Sequence, residues 1–471
     1  MPLMSPEHYR ESLRDGRRIF YRGRSIPDVN LEPDLKVGVE LAVLDYEMGE
    51  DPKFRDVAVD RDPQTGTEYS SYYRIPRSRE DLLDRLHLIE LGTERGGTIP
   101  PLIKEIGTDA MFALLRVMEG EALDRAQAFY THCRDGDLAV AVAQTDVKGD
   151  RSLAPHKQDD PDMYLRVVEQ GPDGIVVRGA KAHTSASPNS HELIVLPTRA
   201  MGPDDSEYAV SFAIPMKTEG LSLYVSSFSG GEHNAFEHPL SSKTKMLESL
   251  TVFEDVFVPW DRVFLCGEPR KCGSLALTFV EYHRFTAVSY KLPLIDAFVG
   301  AAATIAEMNG VAHAGHIRDK VTALINYAET VRALTEMAAL RGRIDPNGIA
   351  YPDPMTTNMA KFTFAKGFHD AVALLQECAG GLLVTGPGQE DWDSPEVRPV
   401  LEKYLRGAVP AEERIRMMNL IADITARDFG GYHAVLAIHA EGSVEAEKMQ
   451  ILRSYDPSPA VARARKFAGL G

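Results

Sequence analysis

The sequence predicts an α+β fold in three consecutive parts: a helical segment over 1–135, a β segment over 136–270 and a helical bundle over 271–471. Three observations carry this. Apolar residues recur at spacings of three and four in the first and third parts. Short β-branched and aromatic runs separated by turn formers fill the middle part. Long patterns rich in Ala, Leu and Ile, joined by short connectors, close the chain in the manner of an antiparallel bundle.

In the first part the helical period is strongest over 80–91 and 108–128, and Ser5 and Ser78 stand before acidic residues as helix caps do. In the second part strands are expected at 138–143, 175–177, 191–197, 208–215 and 221–226, with GPDG (171–174) and GPDD (202–205) as turns. Strands at this spacing predict a compact β-barrel or sandwich. In the third part helices are expected over 293–342, 355–379, 390–408, 411–426 and 443–452.

Composition excludes several functions. Among 471 residues, 52 Lys and Arg face 69 Asp and Glu, for a net charge of −17. A nucleic-acid backbone or an anionic membrane surface calls for clustered basic residues, so neither is an expected partner. The N-terminus lacks the apolar run of a signal peptide, and no stretch of about 18 apolar residues predicts a membrane span. The 4 cysteines are too few for a disulfide framework, and the expected compartment is the reducing cytoplasm. GxGxxG after a strand, GxxxxGK[ST], HExxH and GxSxG are all absent, which removes the commonest nucleotide, zinc-hydrolase and serine-hydrolase readings.

Three polar constellations remain. The segment 178–191 carries His183, Thr184, Ser185 and Asn189 between two apolar strands, either as a solvated hairpin loop or as an edge for a polar ring system. The segment 143–152 gathers Gln144, Thr145, Arg151 and Ser152 after a small-residue strand, and Arg151 suits a phosphate or carboxylate. In 281–291, read as the start of a long helix, His283, Ala287, Tyr290 and Lys291 fall on or near one face. Cys266 and Cys272 flank GEPRK at a spacing that fits neither zinc nor iron–sulfur ligation, and they are read as structural.

Long stretches resemble one flavoprotein family: TDVKGDRS (145–152), QDDPDMYLRVVE (158–169), VRGAKAHTSASPNSHELIVLPTRAM (177–201), FEDVFVPWDRVFL (253–265), YHRFTAVSYK (282–291), AGGLLVTGP (379–387) and HAEGSVEAEKMQILR (439–453). The chain is similar over nearly its whole length to the 4-hydroxyphenylacetate 3-hydroxylase / 4-hydroxybutyryl-CoA dehydratase family. The resemblance implies an acyl-CoA-dehydrogenase-like fold with a central β-barrel domain, FAD (used reduced, rather than FMN) between that domain and the bundle, and a homotetramer. By the same resemblance, Gln144, Thr145, Arg151, Ser152, His183, Thr184 and Ser185 lie in the flavin-contacting segments. Gly380 and Gly381 belong to the turn that meets the adenine end, in this subunit or its neighbour.

The departures from the family pattern divide its two chemistries. The dehydratase branch holds a [4Fe–4S] cluster through three Cys and one His. His283 matches the His and Lys291 the Lys that follows, but Tyr290 stands in one Cys position, and 98–110 contains no cysteine. No iron–sulfur cluster and no other metal is therefore expected. The phenol hydroxylase branch carries an Arg-x-Pro-x-Tyr element and a His where this chain has Pro100-Pro101-Leu102 and Val142. The resemblance thus implies a two-component flavin-dependent monooxygenase acting through a flavin C4a-hydroperoxide on a small organic substrate, supplied with reduced FAD by a separate reductase. The alternative is a cluster-free lyase or isomerase of an acyl-CoA-like substrate, with a non-catalytic flavin-binding relic as a third. His283, Tyr290, Lys291 and Glu441 are the expected catalytic residues.

Overall fold

The computed structural model describes residues 3–231 and 233–470. Its longer helices are α1 (Pro33–Glu50), α2 (Arg79–Arg95), α3 (Glu105–Val117), α4 (Gly120–Gly136), α5 (Pro269–Met308), α6 (Gly315–Leu340), α7 (Pro354–Ala379), α8 (Ala411–Thr425), α9 (Asp428–His439), α10 (Val444–Ser454) and α11 (Ser458–Phe467). The strands of its two large sheets are β1 (Arg18–Tyr21), β2 (Arg24–Ile26), β3 (Val140–Ala143), β4 (Arg166–Gln170), β5 (Gly174–Ser185), β6 (Glu192–Val195), β7 (Val210–Pro215), β8 (Leu221–Val225), β9 (Glu248–Pro259) and β10 (Val263–Cys266).

Both serine caps form. Ser5 accepts from the His8 amide, and Ser78 accepts from the Asp81 amide while the Asp81 carboxylate accepts from the Ser78 amide, a capping box. The period over 108–128 belongs to two helices. The chain turns at Met118–Glu119, and Gly120, at a left-handed φ of 54°, opens α4 in a conformation that other residues resist. The pattern over 293–342 likewise divides into the end of α5 and α6.

The β region is not a barrel. A six-stranded sheet of order β2-β1-β8-β9-β5-β4 faces a four-stranded sheet of order β10-β7-β6-β3, and no closed barrel forms among the described residues. Helix α3 packs on β3 and α4 on β10, so helices rather than further strands cover the edges that closure would join. Ile175, Val177, Phe212, Leu223 and Phe253 contribute to the core these sheets share with the N-terminal segment. Strands β1 and β2 come from the segment expected to be helical, and β9 was not expected at all. Its partner β5 runs through to Ser185, so most of the polar segment 178–191 is strand rather than loop.

Apolar residues of α5, α6, α7 and α8 form the bundle core. Leu294, Ile295, Phe298 and Ile305 are buried within this one subunit, so the apolar run over 293–305 needs no partner to cover it. Helix α5 is long and apolar enough to span a bilayer by length and composition, but 61% of its most apolar window is packed inside this fold.

Candidate active site

A cavity of about 1410 Å³ lies between the β region and the bundle. Helix α5 supplies one wall. His283, Tyr290 and Lys291 line it there, as the helical period brings residues three, four, seven and eight apart onto one stripe. The helix begins at Pro269, so His283 lies about four turns inside it rather than at its start. Its ring stacks on Phe279, one turn earlier, with centroids 5.0 Å apart and planes 15° from parallel.

Glu441 reaches the same stripe from the turn between α9 and α10. It has a left-handed φ of 56°, and Arg284 Nε donates to its carbonyl at 2.9 Å, which holds that uncommon backbone in place. Lys291 Nζ is 2.7 Å from Glu441 Oε2, and Tyr290 Oη donates to Glu441 Oε1. Behind them Lys361 Nζ stands 3.6 Å from Glu441 and 3.1 Å from Glu447. Burial alone would raise the Glu441 pKa, but the charges of Lys291 and Lys361 and the hydrogen bond from Lys291 overcome it and hold the group at about 2. Burial lowers Lys291 to about 8 against the pull of Glu441. Burial and then Glu441 push the Tyr290 phenol far above its ordinary range.

A second carboxylate, Glu248, enters from the other wall. The register sets it opposite Ser185 across β9 and β5. Ser185 Oγ is 2.9 Å from both of its oxygens, and Tyr432 Oη on α9 donates to one of them at 3.0 Å. Burial pushes Glu248 up to about 7, against these two hydrogen bonds. Sequence reasoning missed Glu248 and Tyr432; a carboxylate opening an alternating apolar strand was the available signal.

Strand β5 carries a bulge where it passes the cavity. Thr251 faces Lys181 and Ser249 faces Thr184, which leaves one residue of β9 opposite Ala182 and His183. His183 takes a left-handed φ of 56°, and the strand's alternation shifts. His183 and Ser185 consequently line the cavity, whereas Thr184 is fully buried and its Oγ1 accepts from Thr251 at 2.9 Å. The bulge thus turns the Thr184 side chain away from the cavity lining.

Gln144 and Thr145 line the cavity after β3, and Arg151, Lys148 and Arg199 stand at its edge. Three other expected contacts are not brought there. Ser152 Oγ is exposed and donates to Asp150 at 2.7 Å. Gly380 and Gly381, at the C-terminal end of α7, are exposed and do not line the cavity of their own subunit. Cys133, Cys272 and Cys378 are buried, Cys266 is half-buried, and none lines the cavity. The donor set around His283 therefore contains imidazole, phenol, amine and carboxylate but no thiolate, which does not fit an iron–sulfur cluster. The cavity has room for a flavin dinucleotide: its volume exceeds that of a drug-sized ligand's pocket, polar strand residues line one wall, and three basic side chains, of a kind that pairs with phosphates, stand at its edge.

Comparison with known proteins agrees with this architecture. The family model described as "4-hydroxyphenylacetate 3-hydroxylase N terminal" matches residues 5–265, and its C-terminal counterpart matches residues 272–469. The chain is 30% identical to the 4-hydroxybutyryl-CoA dehydratase/vinylacetyl-CoA-Δ-isomerase of Clostridium aminobutyricum, over 99% of this chain and 100% of that protein. It superposes on an oxygen-tolerant archaeal 4-hydroxybutyryl-CoA dehydratase from N. maritimus with a TM-score of 0.92 at 29% identity, covering 100% of this chain and 96% of that one. Against the oxygenase component (HpaB) of 4-hydroxyphenylacetate 3-monooxygenase complexed with FAD, the TM-score is 0.90 at 28% identity, covering 98% of each chain. The fold is that of the acyl-CoA-dehydrogenase-like enzymes. The chain belongs to the 4-hydroxyphenylacetate 3-hydroxylase family, which it shares with the 4-hydroxybutyryl-CoA dehydratases.

Proposed function

We propose that this enzyme is the oxygenase component of a two-component flavin-dependent monooxygenase. It takes reduced FAD from a separate reductase and places one oxygen atom of O2 on a small, electron-rich organic substrate, the other leaving as water. The observation that carries the reading is the placement of His283 in an FAD-sized cavity whose lining offers no thiolate for a cluster. Bound reduced FAD supplies the two electrons that O2 activation requires. The chain's own residues do the rest. Gln144, Thr145, His183 and Ser185 orient the ring from the strand side, and Arg151 with Lys148 and Arg199 takes the phosphates. Leu102, Ile106, Val142 and Phe279 keep water from the reacting centre. His283 accepts the substrate proton, and Glu441, held ionised between two lysines, keeps Tyr290 and Lys291 in place. Gly380 and Gly381 reach the adenine end only from a neighbouring subunit, in keeping with a homotetramer.

The experiment is rapid mixing of the protein, loaded anaerobically with reduced FAD, with O2. An oxygen-dependent transient absorbance that precedes oxidised flavin is expected. Direct reoxidation without a transient, in the presence of a substrate that is nonetheless converted, rejects the reading.

One observation favours a second reading, a cluster-free lyase or isomerase of an acyl-CoA-like substrate. Glu248 and Glu441 face one cavity with pKa values driven apart, to about 7 and about 2, which is how an acid and a base are set at neutral pH. Turnover of a CoA ester without O2 would establish it.

A further inference from the structure

Asp109 sits on α3 between Thr108 and the apolar run 110–115, and its side chain is 0% exposed. One oxygen, Oδ1, accepts from Arg85 Nη2 of α2 at 2.7 Å and from Thr286 Oγ1 of α5 at 3.0 Å. The other, Oδ2, has no hydrogen-bond partner, and it lies 3.4 Å from His283 Nδ1, which has none either. Two buried polar atoms left unsatisfied at this distance from one another are costly apart and complementary together. A small rotation of the imidazole within its stack on Phe279 brings them to hydrogen-bond length, and catalytic hydrogen bonds that are long without substrate commonly tighten when it binds.

We propose that Asp109 is the positioning residue of His283: Oδ2 accepts the Nδ1 proton, which leaves Nε2 unprotonated and turned to the cavity. The role of the acceptor is set by the other donors. Arg85 and Thr286 both occupy Oδ1, so Oδ2 is the oxygen left over, and a carboxylate there can only accept. Nδ1 must then carry the proton. Arg85 is in turn fixed by the Tyr72 carbonyl at 3.2 Å and the Glu105 carbonyl at 3.0 Å, so the carboxylate is oriented by three helices rather than by one rotamer. Glu441, which reaches the same α5 stripe with Lys291 paired to it, is a further charged group near the imidazole. This inference rests on His283 as the proton acceptor of the proposed reaction, but its structural content is separable from that chemistry.

The alternative is that Asp109 only neutralises buried Arg85. Asp109→Asn distinguishes the two. Its amide oxygen satisfies Arg85 and Thr286, which leaves the amide NH2 facing His283. Nδ1 must then become an acceptor, and the proton moves to Nε2. Nitrogen NMR of FAD-loaded protein with 15N-labelled histidine reads this directly, with His283→Gln used to assign the signal. Wild type is expected to show the Nδ1–H tautomer and Asp109→Asn the Nε2–H tautomer, with turnover reduced about 10²- to 10⁴-fold. An Nε2–H tautomer in wild type overturns the inference and needs no variant to fold. An unchanged tautomer in Asp109→Asn also overturns it. A reversed tautomer with unchanged turnover keeps Asp109 as the group that orients His283 and removes His283 from the chemistry.

Discussion

Lys291 Nζ stands 2.7 Å from a Glu441 carboxylate oxygen, in a pair whose side chains are only 4% and 3% exposed. The two residues are 150 positions apart, and their contact ties the turn before α10 to the middle of α5. Lys361 shares the same carboxylate, so two buried ammonium groups depend on it.

Removing one partner of a buried pair leaves an uncompensated charge, which costs about 3–5 kcal/mol. Glu441→Gln is therefore expected to lower the unfolding free energy by about that amount at neutral pH, as read by urea denaturation. A loss under 1 kcal/mol would mean that Glu447 alone carries both lysines.

His283→Ala tests the proposed base. A positioned base contributes about 10²–10⁴-fold to rate. Product formation should fall by that factor while FAD affinity, followed by flavin fluorescence titration, stays near wild type. Turnover retained within a few-fold would direct attention to Glu248 and Tyr290.

Glu248 makes a prediction about pH. Its native pKa of about 7 lies above its ordinary 4.5, so between these values the native protein holds a proton that the unfolded chain has released. Stability should accordingly fall as pH rises from 4.5 towards 7, by about 3 kcal/mol in all. Glu248→Gln should flatten that part of the stability curve, and an unaltered slope would show that the carboxylate ionises normally.

The missing thiolates predict protein without iron or acid-labile sulfide after anaerobic purification. Stoichiometric recovery of either would restore a cluster-dependent mechanism.

Assembly is expected to use the C-terminal arm. Every residue of α11 is exposed, including Val461 at 51% and Phe467 at 80%, and Leu452 on α10 is 77% exposed. Arg463, Arg465 and Lys466 make this arm basic in a chain of net charge −17. A homotetramer by light scattering that falls to a smaller species when 456–471 is deleted is the expected result. An unchanged mass would place the interface elsewhere.

By itself the sequence determined the serine caps, the stripe joining His283 to Lys291 and the lack of cluster cysteines. Each is a local property: a period, a cap or a residue type at a position. The open sheets, the bulge and the cavity were decided only by tertiary structure. The alternation of β5 changes at His183 because β9, 63 residues later at the Ser185–Glu248 pair, imposes its register on it, and nothing within 178–191 encodes that partner. Glu248 and Asp109 were unremarkable as letters, because a carboxylate acquires its role from what faces it. Glu248 titrates high because the fold takes it from water beside Ser185 and Tyr432. Asp109 keeps one oxygen free for His283 because helices α2 and α5 deliver Arg85 and Thr286 to the other.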